Sequence, residues 1–174
     1  MLERFFPDEI VDKIQDIDFN KLRSKGIKAL ILDIDNTLVP PFIKEADDGV
    51  IDWVKNVKDK GFELCIVSNA TKKRVDRFNE KLGLKAIHRA SKPMKSAFSK
   101  ALDLLGFSAD EVALVGDQIF TDVYGGNRMG MYTILVKPID RREALFVRLK
   151  RYPEKYIMKK YKEYLMRDRL VAEK

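Results

Sequence analysis

Short apolar runs alternate with amphipathic segments along most of this chain. Five apolar runs have the length and composition of buried strands: residues 28–35, 62–67, 85–88, 112–115 and 132–136. Apolar residues recur at helical spacing in three segments between these runs, each followed by a glycine: residues 48–60, 71–82 and 93–105. Strands that alternate with helices predict βαβ units. We therefore predict an α/β fold with a doubly wound, Rossmann-like parallel sheet of five strands and helices on both faces.

Two further segments flank this predicted core. The first segment has a helical pattern over residues 8–14 and then contains Asp18 as the cap of a second short helix. The last segment has a helical pattern that we expect to break near Pro153. We therefore expect an N-terminal helical arm at residues 1–27, a core at residues 28–140, and a basic helical segment, in the same domain or appended to it, at residues 141–174.

The composition limits the class of protein. The chain has 174 residues and a single cysteine, Cys65, which lies within an apolar run. One cysteine excludes an internal disulfide and favours a reducing compartment. The sequence contains no apolar run long enough to cross a membrane, and its first residues lack the layout of a signal peptide. We therefore expect a cytoplasmic protein.

The net charge of +7 is concentrated at one end of the chain. Residues 1–140 hold 22 basic and 22 acidic residues, whereas residues 141–174 hold 12 basic and 5 acidic residues. Tyr156, Ile157 and Tyr161 fall on one face of the predicted helix in this last segment. A basic amphipathic helix with aromatic residues favours an anionic membrane surface, and the same features suit RNA phosphates. The alternative is a helix that docks on the sheet and leaves a basic face in solvent.

The first predicted strand ends in a group of polar residues. Asp33, Asp35 and Thr37 follow the apolar run at every second position. Two carboxylates this close repel each other and are costly to remove from water, and a bound cation removes that cost. A hard cation such as Mg²⁺ suits oxygen ligands. A helix N-cap would explain one of these residues but not the set.

Polar residues also follow the next three predicted strands. Ser68 and Asn69 follow the second strand, Lys92 follows the third, and Asp117 and Asp122 follow the fourth. Taken singly, each could be a helix cap, a loop lysine or a turn residue. The carboxyl ends of parallel strands meet at one edge of the sheet, where ligands bind in doubly wound folds. We therefore predict one site that collects these residues together with the acids of the first strand.

The residue types suit phosphoryl transfer. A carboxylate such as Asp33 can attack phosphorus and form an aspartyl-phosphate. Asp35 can protonate the departing oxygen and later take a proton from water. Asp117 would share the Mg²⁺, while Ser68 and Lys92 would stabilise the charge of the phosphoryl group.

Four short motifs therefore stand at the ends of the first four predicted strands. They are Asp33-Ile34-Asp35-Asn36-Thr37, Val67-Ser68-Asn69, Ser91-Lys92-Pro93, and Gly116-Asp117 followed by Asp122. Together they resemble the haloacid dehalogenase (HAD) superfamily of aspartate-nucleophile phosphatases, over about residues 28–137 of the chain.

This resemblance implies a HAD-type fold and a set of roles. It implies that Asp33 is the nucleophile, that Asp35 is the acid and base, and that Mg²⁺ is held by the Asp33 carboxylate, the Asp35 backbone carbonyl and Asp117. It further implies that Ser68 and Lys92 hold the phosphate, and we place Thr37 and Asn69 in the same group. Asp122 would be a supporting acid near the metal or Lys92.

The opening segment at residues 6–9 and the sequence Asp35-Asn36-Thr37-Leu38 resemble the YqeG-type HAD phosphatases of subfamily IIIA. That group is similar to the phosphatidylglycerophosphate phosphatases of mitochondria and plastids. Residues 38–47 and 70–91 leave too little room for an inserted domain, so we expect no cap domain. An uncapped site favours a large or surface-held phosphate. We therefore expect phosphatidylglycerophosphate or another such phosphate as the substrate, and a protein peripheral to the inner face of the membrane with anionic lipid as its partner.

Two other classes of function stay open at the level of sequence. The basic segment at residues 141–174 would suit a non-enzymatic protein on a HAD fold that binds RNA, the ribosome or a membrane surface. A phospho-accepting receiver-like domain also pairs acids, Mg²⁺ and a lysine on a similar sheet. Receivers place the accepting acid after the third strand, where this chain has His88 and Arg89.

Overall fold

The computed structural model describes residues 2–140 and 145–172, with side chains described at residues 2–140 and 152–167. The strands in this part of the chain are β1 (Glu9–Val11), β2 (Ala29–Leu32), β3 (Glu63–Val67), β4 (Lys85–Ile87), β5 (Val112–Gly116) and β6 (Tyr132–Val136). The helices are α1 (Phe19–Ser24), α2 (Asp48–Asp59), α3 (Lys72–Asn79), α4 (Lys95–Leu105), α5 (Tyr124–Met129) and α6 (Leu145–Ala172).

The strands form one parallel sheet in the order β1-β6-β5-β2-β3-β4. β2 lies at the centre, where Leu32 pairs with Ile66 of β3 on one side and with Val115 of β5 on the other. The chain extends the sheet from β2 through β3 to β4 and then returns to β5 and β6, so the strand order reverses between β2 and β5. Ligands bind at such a switch point in doubly wound sheets. The predicted α/β class with a doubly wound parallel sheet is confirmed.

The described sheet has six strands rather than the five that we predicted. The additional strand is β1, which pairs in parallel with β6, so the helix predicted over residues 8–14 is wrong. The apolar spacing of this segment fits a helix, but Ile10 and Val11 are β-branched, and the open edge of β6 offers backbone partners to a strand. Asp8 fixes the start of β1, because its carboxylate accepts hydrogen bonds from the N–H of Thr133 at 2.8 Å and from its hydroxyl at 2.9 Å.

Helices cover both faces of the sheet, as predicted. Alternate residues of β2 divide between two apolar cores, with Leu30 and Leu32 in one and Ala29 and Ile31 in the other. The first core also contains the buried sides of α2 and α3, and the second contains the buried side of α4. Because β2 is buried on both faces, the residues that follow its carboxyl end start from a fixed position.

The C-terminal helix α6 packs against the segment that follows β5. Ile157 lies in a small apolar cluster with Ile119 and with partly buried aromatic residues of the N-terminal arm. The helix runs through Pro153 without interruption, so the predicted break is wrong. Proline removes one helical hydrogen bond, and packing of the following turns compensates for that loss. The predictions for residues 141–144 and 173–174 lie outside the described residues. No described helix has the length and apolar character of a membrane span.

Neither place at which a cap domain could be inserted holds one in the described chain. Residues 33–47, between β2 and α2, form a loop. Residues 68–84, between β3 and β4, contain α3 and its connections. The carboxyl edge of the sheet is therefore bordered by short segments only, as the sequence predicted.

Candidate active site

The chain turns sharply after β2 and presents two carboxylates. Asp33 still pairs like a strand residue, because its N–H donates to a β5 carbonyl oxygen at 3.0 Å. The N–H of Thr37 then donates to the Ile34 carbonyl oxygen at 3.2 Å, and Asn36 between them has a φ of 64°. Asparagine tolerates this left-handed conformation better than most residues. The turn leaves the Asp33 side chain 8% exposed and the Asp35 side chain 36% exposed.

Lys92 joins two of the predicted acids. Its Nζ lies 2.9 Å from Asp33 Oδ1 and 2.7 Å from Asp122 Oδ1, with all three side chains almost fully buried. Asp122 Oδ2 also accepts hydrogen bonds from the N–H of Gln118 and the hydroxyl of Thr121, each at 3.2 Å. Buried charges persist when they are paired and hydrogen-bonded in this way. The structure therefore places Asp122 beside Lys92, which contacts both Asp122 and Asp33.

The pKa values of this group follow from burial and from close charges. Burial raises the pKa of Asp33 to about 6, Lys92 acts against this rise, and Asp122 adds to it. Burial alone would lower the pKa of Lys92, but the carboxylates of Asp122 and Asp33 outweigh burial and raise this pKa above its usual range. Lys92 is therefore charged at neutral pH, and Asp33 is an ionised carboxylate with little hydration. Such a carboxylate is suited to nucleophilic attack.

Asp117 completes a group of three buried acids. One carboxylate oxygen each from Asp33, Asp117 and Asp122 lie within 4.8 Å of one another. Two oxygen ligands about 2.1 Å from one Mg²⁺ ion lie about 3–4 Å apart, so small side-chain shifts would fit this group to the ion. Three buried carboxylates this close repel one another and are costly to remove from water, and a divalent cation would offset that cost. The donor set and its charge therefore fit Mg²⁺.

The other predicted phosphate ligands lie in the neighbouring turns. Ser68 is buried, and its hydroxyl accepts a hydrogen bond from the N–H of Ala70 at 3.2 Å. Asn69 holds the backbone of Lys92: its Oδ1 accepts the Lys92 N–H at 2.7 Å, and its Nδ2 donates to the Lys92 carbonyl oxygen at 3.4 Å. The Thr37 hydroxyl is buried and has no hydrogen-bond partner among the described residues, so it is available to a ligand. Phosphate binding by these residues stays a prediction.

Two residues near the site were missed at the level of sequence. Arg74 of α3 places its Nη2 2.9 Å from Asp35 Oδ1. Glu154 of α6 is buried and accepts a hydrogen bond from the N–H of Ile119, in the segment after Asp117, at 2.8 Å. The sequence identified the α3 segment only as a helix with apolar residues at helical spacing, and no spacing in the sequence connects Glu154 with residues so far before it.

Unusual backbone conformations concentrate around the same turns. Among the described residues, three non-glycine residues have a φ between 45° and 64°: Asn36, Arg89 and Ser91. Asn36 directly follows Asp35, and Ser91 directly precedes Lys92. Conformations of this kind cost about 1–3 kcal/mol each and persist where the surrounding structure fixes them, commonly at functional sites.

Comparisons with known proteins identify the family of this chain. Residues 2–140 match the family described as mitochondrial PGP phosphatase. A probable phosphatase of Bacillus subtilis, YqeG, is 40% identical over 91% of this chain and 92% of its own length. The chloroplastic and mitochondrial phosphatidylglycerophosphate phosphatase 1 of Arabidopsis thaliana is 28% identical over 81% of this chain, which covers 43% of that protein.

A solved structure supports the fold. The cobalt-bound deoxy-D-mannose-octulosonate 8-phosphate phosphatase of Haemophilus influenzae aligns with a TM-score of 0.54 over 67% of this chain and 70% of that chain, at 19% sequence identity. This likeness concerns the backbone architecture, whereas the match to the family and to the Bacillus protein concerns the sequence itself. The chain thus belongs to the PGP phosphatase family and is a phosphatase of the HAD superfamily.

Proposed function

We propose that this protein hydrolyses a phosphomonoester through an aspartyl-phosphate on Asp33, with Mg²⁺ as the cofactor. The observation that carries the proposal is the buried contact of Lys92 Nζ with both Asp33 and Asp122, next to Asp117. It puts a carboxylate nucleophile, a fixed cation and a set of metal ligands within a few ångströms of one another. Aspartate-based phosphoryl transfer needs these groups together.

The first half-reaction transfers the phosphoryl group to Asp33. An oxygen of its carboxylate forms a bond to phosphorus while the bond from phosphorus to the leaving oxygen breaks. Asp35 donates its proton to that leaving oxygen, so an alcohol departs. The ammonium of Lys92 and the hydroxyls of Ser68 and Thr37 stabilise the charge on the other phosphoryl oxygens.

The second half-reaction restores the enzyme. Asp35, now a carboxylate, accepts a proton from water as the water oxygen bonds to phosphorus. The bond from phosphorus to Asp33 breaks, its electron pair returns to the carboxylate, and phosphate leaves. Asp33, Asp117 and the backbone carbonyl of Asp35 would hold Mg²⁺, which supplies further positive charge to the phosphoryl oxygens when bound.

Substitution of the nucleophile tests this mechanism. Asp33→Asn keeps the size of the side chain and its place beside Lys92, but an amide cannot form the phosphoenzyme. We expect no Mg²⁺-dependent turnover from the folded variant in a screen of phosphomonoesters that includes phosphatidylglycerophosphate in mixed micelles. Full activity of Asp33→Asn would remove Asp33 as the nucleophile.

The open edge of the sheet supports a large or membrane-held substrate. Asp35 is partly exposed, and short segments border the site without an inserted domain in the described chain. Water exclusion during catalysis then depends on the substrate or on the surface that carries it. Phosphatidylglycerophosphate, the substrate in the name of the Arabidopsis relative, meets this requirement, so we propose it as the substrate.

Helix α6 supports attachment to an anionic membrane surface. Its described part buries Ile157 and Tyr161 and exposes cations, including Lys155 and Lys159, beside exposed aromatic and apolar side chains. A face with exposed cations and aromatic rings suits anionic lipid headgroups. The cytoplasmic location and the place at the inner face of the membrane stay predictions.

Vesicle binding tests this attachment. We expect the double substitution Lys155→Gln and Lys159→Gln to weaken sedimentation with anionic vesicles, while the double substitution Lys55→Gln and Lys58→Gln on α2 leaves it unchanged. Both pairs remove two exposed positive charges. Binding of RNA but not of anionic vesicles would instead favour nucleic acid as the partner of residues 141–174.

A further inference from the structure

Arg74 contacts Asp35, the proposed acid and base. Its Nη2 lies 2.9 Å from Asp35 Oδ1, and its side chain is 16% exposed. Asp35 is the most open of the proposed catalytic groups, with a side chain 36% exposed against 8% for Asp33 and 2% for Lys92. An exposed carboxylate on a turn has several rotamers of similar energy unless a partner selects one. Arg74 is placed to be that partner.

Arg74 is itself held at three points. Its Nη1 donates to the carbonyl oxygen of Lys44 at 3.1 Å, and its guanidinium lies 5.3 Å from the ring centroid of Phe78, which is fully buried. Its backbone N–H donates to the hydroxyl of Thr71, the cap of α3. A planar guanidinium fixed in this way loses little further freedom when it binds a carboxylate. The contact therefore joins the turn after β2 to a rigid helix.

We propose that Arg74 is a positioning residue that holds the Asp35 carboxylate in place to accept the proton of the attacking water. This inference rests on the proposed function, because it assigns Arg74 to one half of that reaction. Arginine stays protonated and cannot take up the proton itself. The guanidinium donates hydrogen bonds and accepts none, so its 2.9 Å contact with Asp35 Oδ1 fixes the carboxylate group in the step in which Asp35 accepts a proton. The contact is thus matched to the second half-reaction, in which the phosphoenzyme is hydrolysed.

Arg74→Gln tests this assignment, with Arg77→Gln as the matched control. Arg77 lies on the same helix and pairs with Glu45 at 2.7 Å, at 50% exposure of its side chain. Both substitutions remove one cation that tethers α3 to the loop before α2, but only Arg74 contacts Asp35. Arg74→Lys is the conservative variant, because a lysine can still form the ion pair without the planar fork.

The assay follows dinitrophenyl phosphate in a stopped-flow instrument with Mg²⁺. Dinitrophenolate leaves without a proton, so the first half-reaction with this ester does not need Asp35. We expect Arg74→Gln to lower kcat by about 10- to 100-fold, part of the 10²–10⁴ that general base catalysis contributes. We expect kcat/KM to stay within about 3-fold of wild type, because the first half-reaction is intact. A burst near one dinitrophenolate per enzyme should precede the slow steady state.

A double-mutant cycle adds a second readout. If Arg74 acts through Asp35, Arg74→Gln should have almost no further effect in an Asp35→Asn background. Arg74→Lys should recover part of the lost kcat, and Arg77→Gln should match wild type in kcat and in burst amplitude. Circular dichroism and thermal unfolding confirm that each variant is folded.

Other outcomes would overturn the proposal. A fall in kcat/KM equal to the fall in kcat would mean that Arg74 binds the phosphate itself. A reduced burst amplitude with unchanged kcat per active site would mean that Arg74 only maintains the fold. If wild type releases no dinitrophenolate with Mg²⁺, or if Asp33→Asn releases it as fast as wild type, the proposed function fails first and the Arg74 assignment fails with it.

Discussion

Gly116→Ala places one methyl group against the centre of the proposed site. Gly116 is the last residue of β5 and directly precedes Asp117. Its φ lies outside the left-handed region that favours glycine, so alanine is not strained by its backbone there. A Cβ at this position would contact the Asp122 carboxyl carbon and lie 2.6 Å from Asp122 Oδ2. Asp122 must therefore move, and it is the residue that holds Lys92.

The size of the effect follows from that displacement. Nonbonded heavy atoms are most stable at about 3.5–4.0 Å, so the Asp122 side chain must shift by about 1 Å. A shift of this size breaks the 2.7 Å bond to Lys92, and a bond to a charged group contributes about 1.5–3 kcal/mol. Misplacement of a catalytic group by about 1 Å costs on the order of 100-fold in rate. We expect a comparable loss of kcat/KM and a melting temperature lowered by about 3–12 °C, at about 2–4 °C per kcal/mol for a chain of this size.

Gly49→Ala is the matched control for this substitution. Gly49 lies in α2, where a new Cβ would meet its nearest neighbour, Asp47 Oδ1, at an ordinary 3.4 Å. Alanine in a helix gains up to about 1 kcal/mol over glycine, so Gly49→Ala should be fully active and slightly more stable. The assay is phosphate release with Mg²⁺ together with differential scanning calorimetry. Wild-type activity and stability in Gly116→Ala would refute the claim that Asp122 must stay in contact with Lys92.

Three further predictions concern the charged groups. Lys92→Met should abolish activity and lower the free energy of unfolding by about 3–5 kcal/mol in urea denaturation, because it leaves Asp33 and Asp122 buried without their cation; an unchanged free energy would contradict the importance of this pairing. Glu154→Leu should cost about 1–3 kcal/mol through the lost bond to the N–H of Ile119, whereas Glu154→Gln, which keeps an acceptor, should cost less. In the metal-free, chelator-treated protein, the pKa of Asp33 is higher in the folded state than in the unfolded state. The free energy of unfolding therefore falls as pH rises from about 4 to about 6. Asp33→Asn should therefore stabilise the metal-free protein by about 1–3 kcal/mol at neutral pH and by almost nothing at pH 4, and an equal gain at both pH values would rule out this cause.

The central part of the fold was predictable because its alternation of apolar runs and amphipathic segments is typical of one architecture, the parallel α/β sheet. β2 through β6 are apolar runs separated by amphipathic helices, and a run such as Ala29–Leu32 is buried on both faces only inside a parallel sheet. Parallel pairing then fixes which ends of the strands meet. For that reason the meeting of Lys92 with Asp33 followed from the order of the elements, although these residues are far apart in the sequence.

The errors fall where more than one structure fits the same pattern. The spacing of Ile10 and Val11 is compatible with a helix or a strand. The segment forms a strand because it pairs with the open edge of β6, and the local sequence carries no signal of that distant pairing. Pro153 suggested a break in the C-terminal helix. The helix is continuous, and the residues that pack against it belong to other elements, so its own sequence did not reveal these contacts. Asn69 shows the same limit at the level of a side chain. Its amide holds the backbone of Lys92, a contact that the sequence did not indicate, while its contact with phosphate stays a prediction.

The contact of Glu154 with Ile119 links the basic helix to the chemistry of the site. Ile119 opens the π-helical turn that also contains Asp122, so the carboxylate of α6 is bonded to the segment that positions the partner of Lys92. A buried carboxylate is costly unless such donors satisfy it, so its burial ties α6 to that segment. A surface that binds the exposed cations of α6 therefore binds a helix whose buried side contacts the segment that contains Asp122. The proposed membrane attachment is therefore expected to be coupled to catalysis, and the Glu154→Leu variant should lose any stimulation by anionic vesicles while Glu154→Gln retains it.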